Sequence, residues 1–311
     1  MQYSAYCFQV GLNRFETAEL GLEVCTENGR FVVSNVKPYS PADMAKNKIY
    51  IGDTIISIDG IKLDTSKNFY SYLDNKANEY IDIAVENIEG TLRYVRLKLI
   101  DRGKLADLEY DRWQERNRQI VDSLSNSKLG YIHIKGMDEE SVCSFETELF
   151  TAALDRDALI IDVRMNGGGH TADYLLGMLN WRKHAETIPR GGEKGYPEDR
   201  LPQLFYDKPI AVLCDQWSFS NAEIFTHAVK ILNRGKIVGM PTAGGVISTS
   251  SKTLLDGSSF RVSFRGWYTS DKNMNEENNG CNPDVIVENL PGDLSVGLDR
   301  QLEAAVLEVL K

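Results

Sequence analysis

Two loops carry the residue types that a reaction would need. The first reads Asp162-Val163-Arg164-Met165-Asn166-Gly167-Gly168-Gly169, an apolar run that ends in three glycines. A backbone without Cβ atoms can turn its N–H groups toward an anion or an oxyanion. The pattern fits neither GxGxxG nor GxxxxGK, so nucleotide binding has poor support, and the plainer reading is a flexible strand-to-helix turn. The second loop runs from Asp215 through Gln216, Trp217, Ser218, Phe219 and Ser220 to Glu223, followed by Ile224, Phe225, Ala228, Val229, Ile231 and Leu232 at helical spacing. Ser220, at the start of that helix, can be a nucleophile with the following amide as an oxyanion donor. Equally, Ser220 and Glu223 satisfy the S-x-x-E capping box, and on spacing alone the cap is the simpler reading.

A serine hydroxyl needs a base, and the four histidines do not supply an obvious one. His133 falls within a strand, His184 in a stretch rich in proline and glycine, and His227 two turns along the helix that Ser220 opens. His170, beside the glycines, is the one in reach of both loops. Farther on, Glu277 sits in the polar loop 275–284, where it is either part of a solvated turn or a carboxylate able to orient a catalytic group. The five cysteines form no CxxC pair and leave an odd thiol, so neither a zinc site nor a disulfide framework is indicated.

The elements that must position these loops alternate in type. The spacing predicts strand Leu129 to Ile134, helix Glu139 to Leu154, strand Ala158 to Val163, helix Thr171 to Trp181, strand Ile210 to Cys214, helix Asn221 to Asn233 and strand Lys236 to Gly239. Such alternation implies right-handed crossovers, a mostly parallel sheet and a ligand site beyond the carboxyl ends of the strands. A long excursion interrupts it between residues 182 and 208, a hairpin is expected at Asp256-Gly257, and residues 298–310 read as a closing amphipathic helix. Upstream, residues 1–101 show short β-branched runs such as Phe31-Val32-Val33, Thr54 to Ile58 and Ile81 to Val85, separated by turn signals, with short helices near 42–46 and 68–75. Residues 102–127 read as a long charged connecting helix, and residues 128–311 as the α/β domain.

A length of 311 residues fits about two domains. Thirty-five basic against 45 acidic residues give a net charge of −10, which disfavours nucleic acid or an anionic membrane surface as partner. No apolar run approaches the roughly 20 residues of a membrane helix, and Met1-Gln2-Tyr3-Ser4 lacks the features of a signal peptide. A reducing, cytoplasmic setting is the expectation, with a periplasmic or extracytoplasmic one in its place if a signal segment precedes Met1.

Four segments resemble, in order, the motifs of tricorn-type serine peptidases, which belong with the C-terminal processing peptidases. They are Asp-Val-Arg-Met-Asn-Gly-Gly-Gly at 162–169, Ser-Phe-Ser-Asn-Ala-Glu-Ile-Phe at 218–225, Gly-Met-Pro-Thr-Ala-Gly-Gly-Val at 239–246 and Glu-Asn-Asn-Gly-Cys-Asn-Pro-Asp at 277–284. The first half, with Leu20-Gly21-Leu22 as a carboxylate-binding loop and Ser40-Pro41-Ala42, Gly52-Asp53 and Ile58-Asp59-Gly60 behind it, is similar to a PDZ domain. The resemblance covers nearly the whole chain. It implies a mainly-β PDZ-like domain ahead of an α/β catalytic domain of the ClpP/crotonase-like kind. It places the nucleophile at Ser220, oxyanion amides at Asn221 and Gly169 with Gly168 adjacent, and the acidic member of the charge network at Glu277. It further implies no cofactor and no metal, a peptide or polypeptide as substrate, and a homo-oligomer as the assembly.

Two positions depart from that family pattern. Tricorn-type enzymes take their histidine from a Ser-His pair ahead of the PDZ domain, whereas Ser4-Ala5-Tyr6 holds none; processing peptidases use a lysine where this chain has Gly245. The acid that sets basic specificity in tricorn falls near Thr187, with Glu186 a neighbour. The chain is thus expected to be either the C-terminal portion of a longer peptidase or a catalytically silent peptide-binding relative. A phosphate binder using the glycine loop is a weaker third reading.

Overall fold

The structure, a computed structural model, describes residues 5–6, 16–153, 155–181, 185, 187–188, 190–193 and 205–311. Ser4, Cys7, Leu154, His184, Glu186 and most of the excursion expected at 182–208 lie outside the described residues. The chain divides into two compact units, one up to Trp113 and one from Gln114 onward that also takes in strand β1 (Ala5–Tyr6).

The first unit is an antiparallel sheet. Its strands are β2 (Leu22–Glu27), β3 (Arg30–Val36), β4 (Thr54–Ile58), β5 (Ile61–Lys62), β6 (Tyr80–Glu86) and β7 (Leu92–Lys98). They lie in the order β2-β3-β4-β6-β7, with β5 beside β4. Alternation decides which face turns inward: Phe31 and Val33, Ile81 and Ile83, and Val95 and Leu97 are buried, while Asp82 and Arg96 between the last two pairs point outward and Val32 is only partly covered. The helix α1 (Pro41–Met44) starts at Ser40, whose hydroxyl accepts from the Asp43 amide, and Asn68 caps a 3₁₀ turn over Phe69–Leu73. The charged helix α2 spans Arg102–Ser125, and the division between the units falls inside it, where a separate connector was expected.

In the second unit β8 (Leu129–His133), β9 (Ala158–Asp162) and β10 (Ile210–Cys214) are buried at every position. A strand covered on both faces shows a continuous apolar run in place of alternation. With β11 (Gly235–Gly239) and the short β14 (Val285–Ile286) they form an all-parallel sheet in the order β8-β9-β10-β11-β14. Because neighbouring strands follow each other in sequence, right-handed crossovers place the intervening helices on one face. Those helices are α3 (Glu139–Thr151), α4 (Ala172–Leu179) and α5 (Asn221–Ile231), which bury Phe145, Leu175 and Phe225 there. Val121 of α2 and Leu302, Ala305 and Val306 of the closing helix α6 (Arg300–Val309) cover the other face. Outside this sheet, β12 (Ser248–Thr253) and β13 (Ser259–Arg265) form the hairpin expected at Asp256-Gly257, with β1 paired to β13.

Candidate active site

Adjacent parallel strands release their following loops side by side. Leu213 of β10 is registered with Asp162 of β9, so the glycine loop and the serine loop leave the same end of the sheet. Asn166, fully buried, laces them together. Its side-chain amide donates to Ile134 O at 2.7 Å, its Oδ1 accepts from the Gly168 amide at 2.8 Å, and its main-chain oxygen accepts from Phe219 N at 2.9 Å. Ser218 adds a second tie through its hydroxyl, which donates to Val163 O at 2.8 Å, and Asp215 Oδ1 a third through the Met165 amide at 3.1 Å.

Close approach explains the glycines. Gly168 has φ +87°, and a Cβ there would stand 2.6 Å from Phe219 O, 2.7 Å from Ser220 Cβ and 2.9 Å from Asn221 N. Gly169, at φ +152°, makes a parallel bridge with Met137, where a Cβ would come within 1.9 Å of Met137 O. That bridge uses Gly168 O and His170 N, which turns the intervening Gly169 N–H away from Met137. The glycine turn is therefore seated directly on the Ser220 turn.

Ser220 is half-buried and adopts φ 55°, ψ −116°, a conformation that a residue with a side chain holds only when its surroundings fix it. Glu223 provides much of that constraint. Its side chain is fully buried; Oε1 accepts from Ser220 N and Gly245 N, both at 2.9 Å, and Oε2 accepts from Thr242 Oγ1 at 2.7 Å and from Gly244 N. The carboxylate arm of the capping box is thus formed, while the Glu223 amide bonds the Ser220 main-chain oxygen at 2.9 Å.

The amides of Gly169 and Asn221 have no hydrogen-bond acceptor among the described residues, and the Asn221 nitrogen, the first of the orphan N–H groups of α5, lies against the Gly168 turn. Asn221 Oδ1, accepting from Ala172 N at 2.8 Å, ties the start of α4 to the start of α5. Gly168 differs from the expected oxyanion role: its amide is committed to Asn166 Oδ1, so it contributes closeness and not a donor. Glu277 accepts the amides of Val246 and Ile247 through Oε2, at 2.9 and 2.8 Å, on the loop whose preceding turn Glu223 holds.

His170 is exposed and its Nε2 lies 2.9 Å from Glu139 Oε1; His133 is buried with Nε2 on Arg164 O at 2.9 Å, and burial pushes its imidazole down. His227 is buried on α5, likewise pushed down by burial, with its Nε2 unpartnered. Among the described residues no histidine or lysine bonds the Ser220 hydroxyl. A lysine at position 245 would require the Phe219 ring to move, because a Cβ there would sit 2.3 Å from it.

Sequence reasoning missed three supports. Asn166 left no signal beyond its place before the glycines. Arg164 is almost fully buried between Asp162 and Asp299, at 2.6 and 2.9 Å, and fixes the end of β9 to the start of α6; burial works against the charge on Asp162, but Arg164 outweighs it and holds that carboxyl below the usual range. Glu276 is 5% exposed, and burial, then repulsion from Glu223, push its carboxyl up to about 7.

In the first unit Leu20, Gly21 and Leu22 are buried in a turn with Gly21 at φ +75°. Gly21 O accepts from Lys37 N at 2.8 Å and Ser40 Oγ at 3.1 Å, while the amides of Leu20 and Gly21 stay unspent among the described residues. Next to this turn is a cavity of about 370 Å³, lined by Leu22, Lys37, Tyr70, Arg102, Leu105 and Glu109 among others.

Comparison with known proteins agrees with both halves. A tricorn protease of Thermoplasma volcanium is 28% identical over 91% of this chain and 28% of its own length, and a tricorn protease homolog of Saccharolobus solfataricus is 30% identical over 89% of this chain and 25% of its own. The chain thus spans less than a third of the length of these relatives. The crystal structure of the tricorn protease superposes with a TM-score of 0.75 and 25% identity, covering 95% of this chain and 29% of that one. Residues 18–86 match the PDZ domain and residues 128–287 match peptidase family S41, to which the chain therefore belongs.

Proposed function

We propose that the chain is the catalytic portion of a tricorn-like serine endopeptidase that cleaves peptides or unfolded polypeptides. The observation that carries this is the seating of the Gly168-Gly169 turn on the Ser220 turn, with the amides of Gly169 and Asn221 unspent. In this reading Ser220 Oγ attacks the peptide carbonyl carbon, and the two amides hold the oxyanion of the tetrahedral intermediate. The hydroxyl proton passes to a histidine contributed from outside this sequence and then to the leaving amine, after which water releases the acyl group from Ser220. Glu277 has one oxygen engaged by Val246 and Ile247, and the other is left to orient that histidine. The PDZ-like unit handles substrate through the Leu20-Gly21-Leu22 turn.

Fluorophosphonate treatment of the full chain, read by intact mass and peptide mapping, tests the assignment. With imidazole added in place of the missing base to take the hydroxyl proton, Ser220 Oγ displaces fluoride from phosphorus, so the expected product is a single adduct on Ser220, absent in Ser220→Ala, while peptide turnover without that base stays low. Cleavage that survives Ser220→Ala defeats the serine-peptidase reading, and the lack of any adduct at Ser220 with imidazole present reduces the chain to a peptide-binding relative.

A further inference from the structure

Glu223 lies outside the set of residues that would touch substrate, yet it binds more of the site than any of them. A carboxylate shielded from water and shared by four donors is a rigid joint, since charge-assisted hydrogen bonds are strong and their loss leaves buried donors unsatisfied. One side of the joint is the amide of Ser220, whose φ of 55° is unfavourable unless imposed. The other side is the 242–245 turn, and the next two amides of that loop are held by Glu277. Ser220 and Glu277 are therefore fixed relative to one another through Glu223.

We propose that Glu223 is the positioning residue that locks the Ser220 turn to the loop bearing Val246 and Ile247, and that ionisation of the neighbouring Glu276 loosens this lock. The inference rests on the reading of Ser220 as nucleophile for its catalytic consequence, but not for the lock itself.

Glu276 is buried within a polar turn: its amide donates to Trp267 O at 3.0 Å, its main-chain oxygen accepts from Asn279 N and Gly280 N, and its Oε2 has no partner. The other titratable groups whose charge reaches this region are His227 and Lys230 of α5, Asp271, Cys281 and Asp284. None offsets a charge on Glu276. His227 is kept neutral by burial, the Cys281 thiol is pushed up to about 12 by burial, and Lys230 is engaged by Asp284 at 3.3 Å. An ionised Glu276 therefore repels the Glu223 carboxylate without compensation.

Amide hydrogen exchange of the full chain reads the lock without requiring activity. In Glu223→Gln, whose NH₂ group cannot accept, exchange at Ser220, Gly244 and Gly245 should accelerate about 30-fold while the amides of β9 and β10 stay protected. In the wild type, exchange at the same three amides, corrected for its intrinsic pH dependence, should rise between about pH 6 and 8 and be flat in Glu276→Gln. Unchanged exchange in Glu223→Gln overturns the lock, acceleration throughout the sheet reduces Glu223 to a general stabiliser, and the same pH profile in Glu276→Gln removes Glu276 from it. If Glu223→Gln does not fold, Thr242→Val deletes one donor, and Thr242→Ser should restore it. Fluorophosphonate labelling separates the two claims. With imidazole supplied as base, equal rates in wild type and Glu223→Gln overturn positioning, and a wild type that does not label at Ser220 refutes the nucleophile while exchange still decides the lock.

Discussion

Replacing Glu276 by Gln should change how stability depends on pH, with a size set by its burial. An ordinary glutamate titrates near 4.5, whereas burial and the Glu223 charge push Glu276 up to about 7. Below both values the carboxyl is protonated in the folded and the unfolded chain and costs nothing. Between them the folded chain keeps a proton that the unfolded chain has released, so stability falls as pH rises, and above about 7 the full penalty applies. At 1.36 kcal/mol per pH unit, that interval corresponds to about 3 kcal/mol, a large part of the roughly 5–15 kcal/mol that holds a typical domain folded. Urea unfolding of both proteins at pH 4.5, 6 and 8 reads this out, because every other titration common to the two cancels in the difference. Glu276→Gln should gain about 3 kcal/mol on the wild type between pH 4.5 and pH 8, with unchanged m-values. A difference that stays constant with pH would show that Glu276 titrates normally and that its apparent burial is relieved in solution.

Gly168→Ala should part the two turns of the site, since its Cβ meets Phe219, Ser220 and Asn221 within 2.9 Å at a φ of +87°; a loss of about 1–3 kcal/mol in thermal or urea unfolding is expected, together with slower fluorophosphonate labelling, and wild-type behaviour in both would contradict the seating described above. Peptides with free C-termini should bind the full chain more tightly than their amidated forms, because the unspent amides of Leu20 and Gly21 suit a terminal carboxylate; equal affinities by calorimetric titration would leave the first unit a spacer.

The parts of this fold that could be read in advance are those whose signal is local and redundant. The strands β8, β9 and β10 announce themselves as apolar runs, and β10 begins and ends where the run does, at Ile210 and Cys214. Helix ends shift by a few residues from the expected ones, as with α5 closing at Ile231 and not Asn233, since the last turn is held by few bonds. The glycine and serine loops were legible as a pair because crossover rules bring consecutive strand ends together.

What stayed hidden depends on contacts far apart in sequence. Ser220 and Glu223 satisfy a capping box whether or not anything else approaches, so spacing cannot reveal that Thr242, Gly244 and Gly245 converge on the same carboxylate. Gly168 looked like a third oxyanion donor because nothing in a run of glycines says which amide is already taken, and Asn166 settles that through Oδ1. Glu276 and Glu277 illustrate the limit most sharply. Both belong to a stretch, Asn275 to Asn279, that reads as uniformly solvated, yet the backbone bonds of Glu276 to Trp267, Asn279 and Gly280 go with a buried side chain that the Glu223 charge reaches. Its neighbour reaches the amides of Val246 and Ile247 from a half-buried position. Two adjacent carboxylates with the same local sequence signal thus have opposite electrostatic situations: one accepts two hydrogen bonds through a single oxygen, and the other has a buried oxygen with no partner and a like charge beside it. Only the folded backbone separates them, which is why the pH dependence of the Glu276 variant, and not any pattern in the sequence, is the decisive measurement for this side of the site.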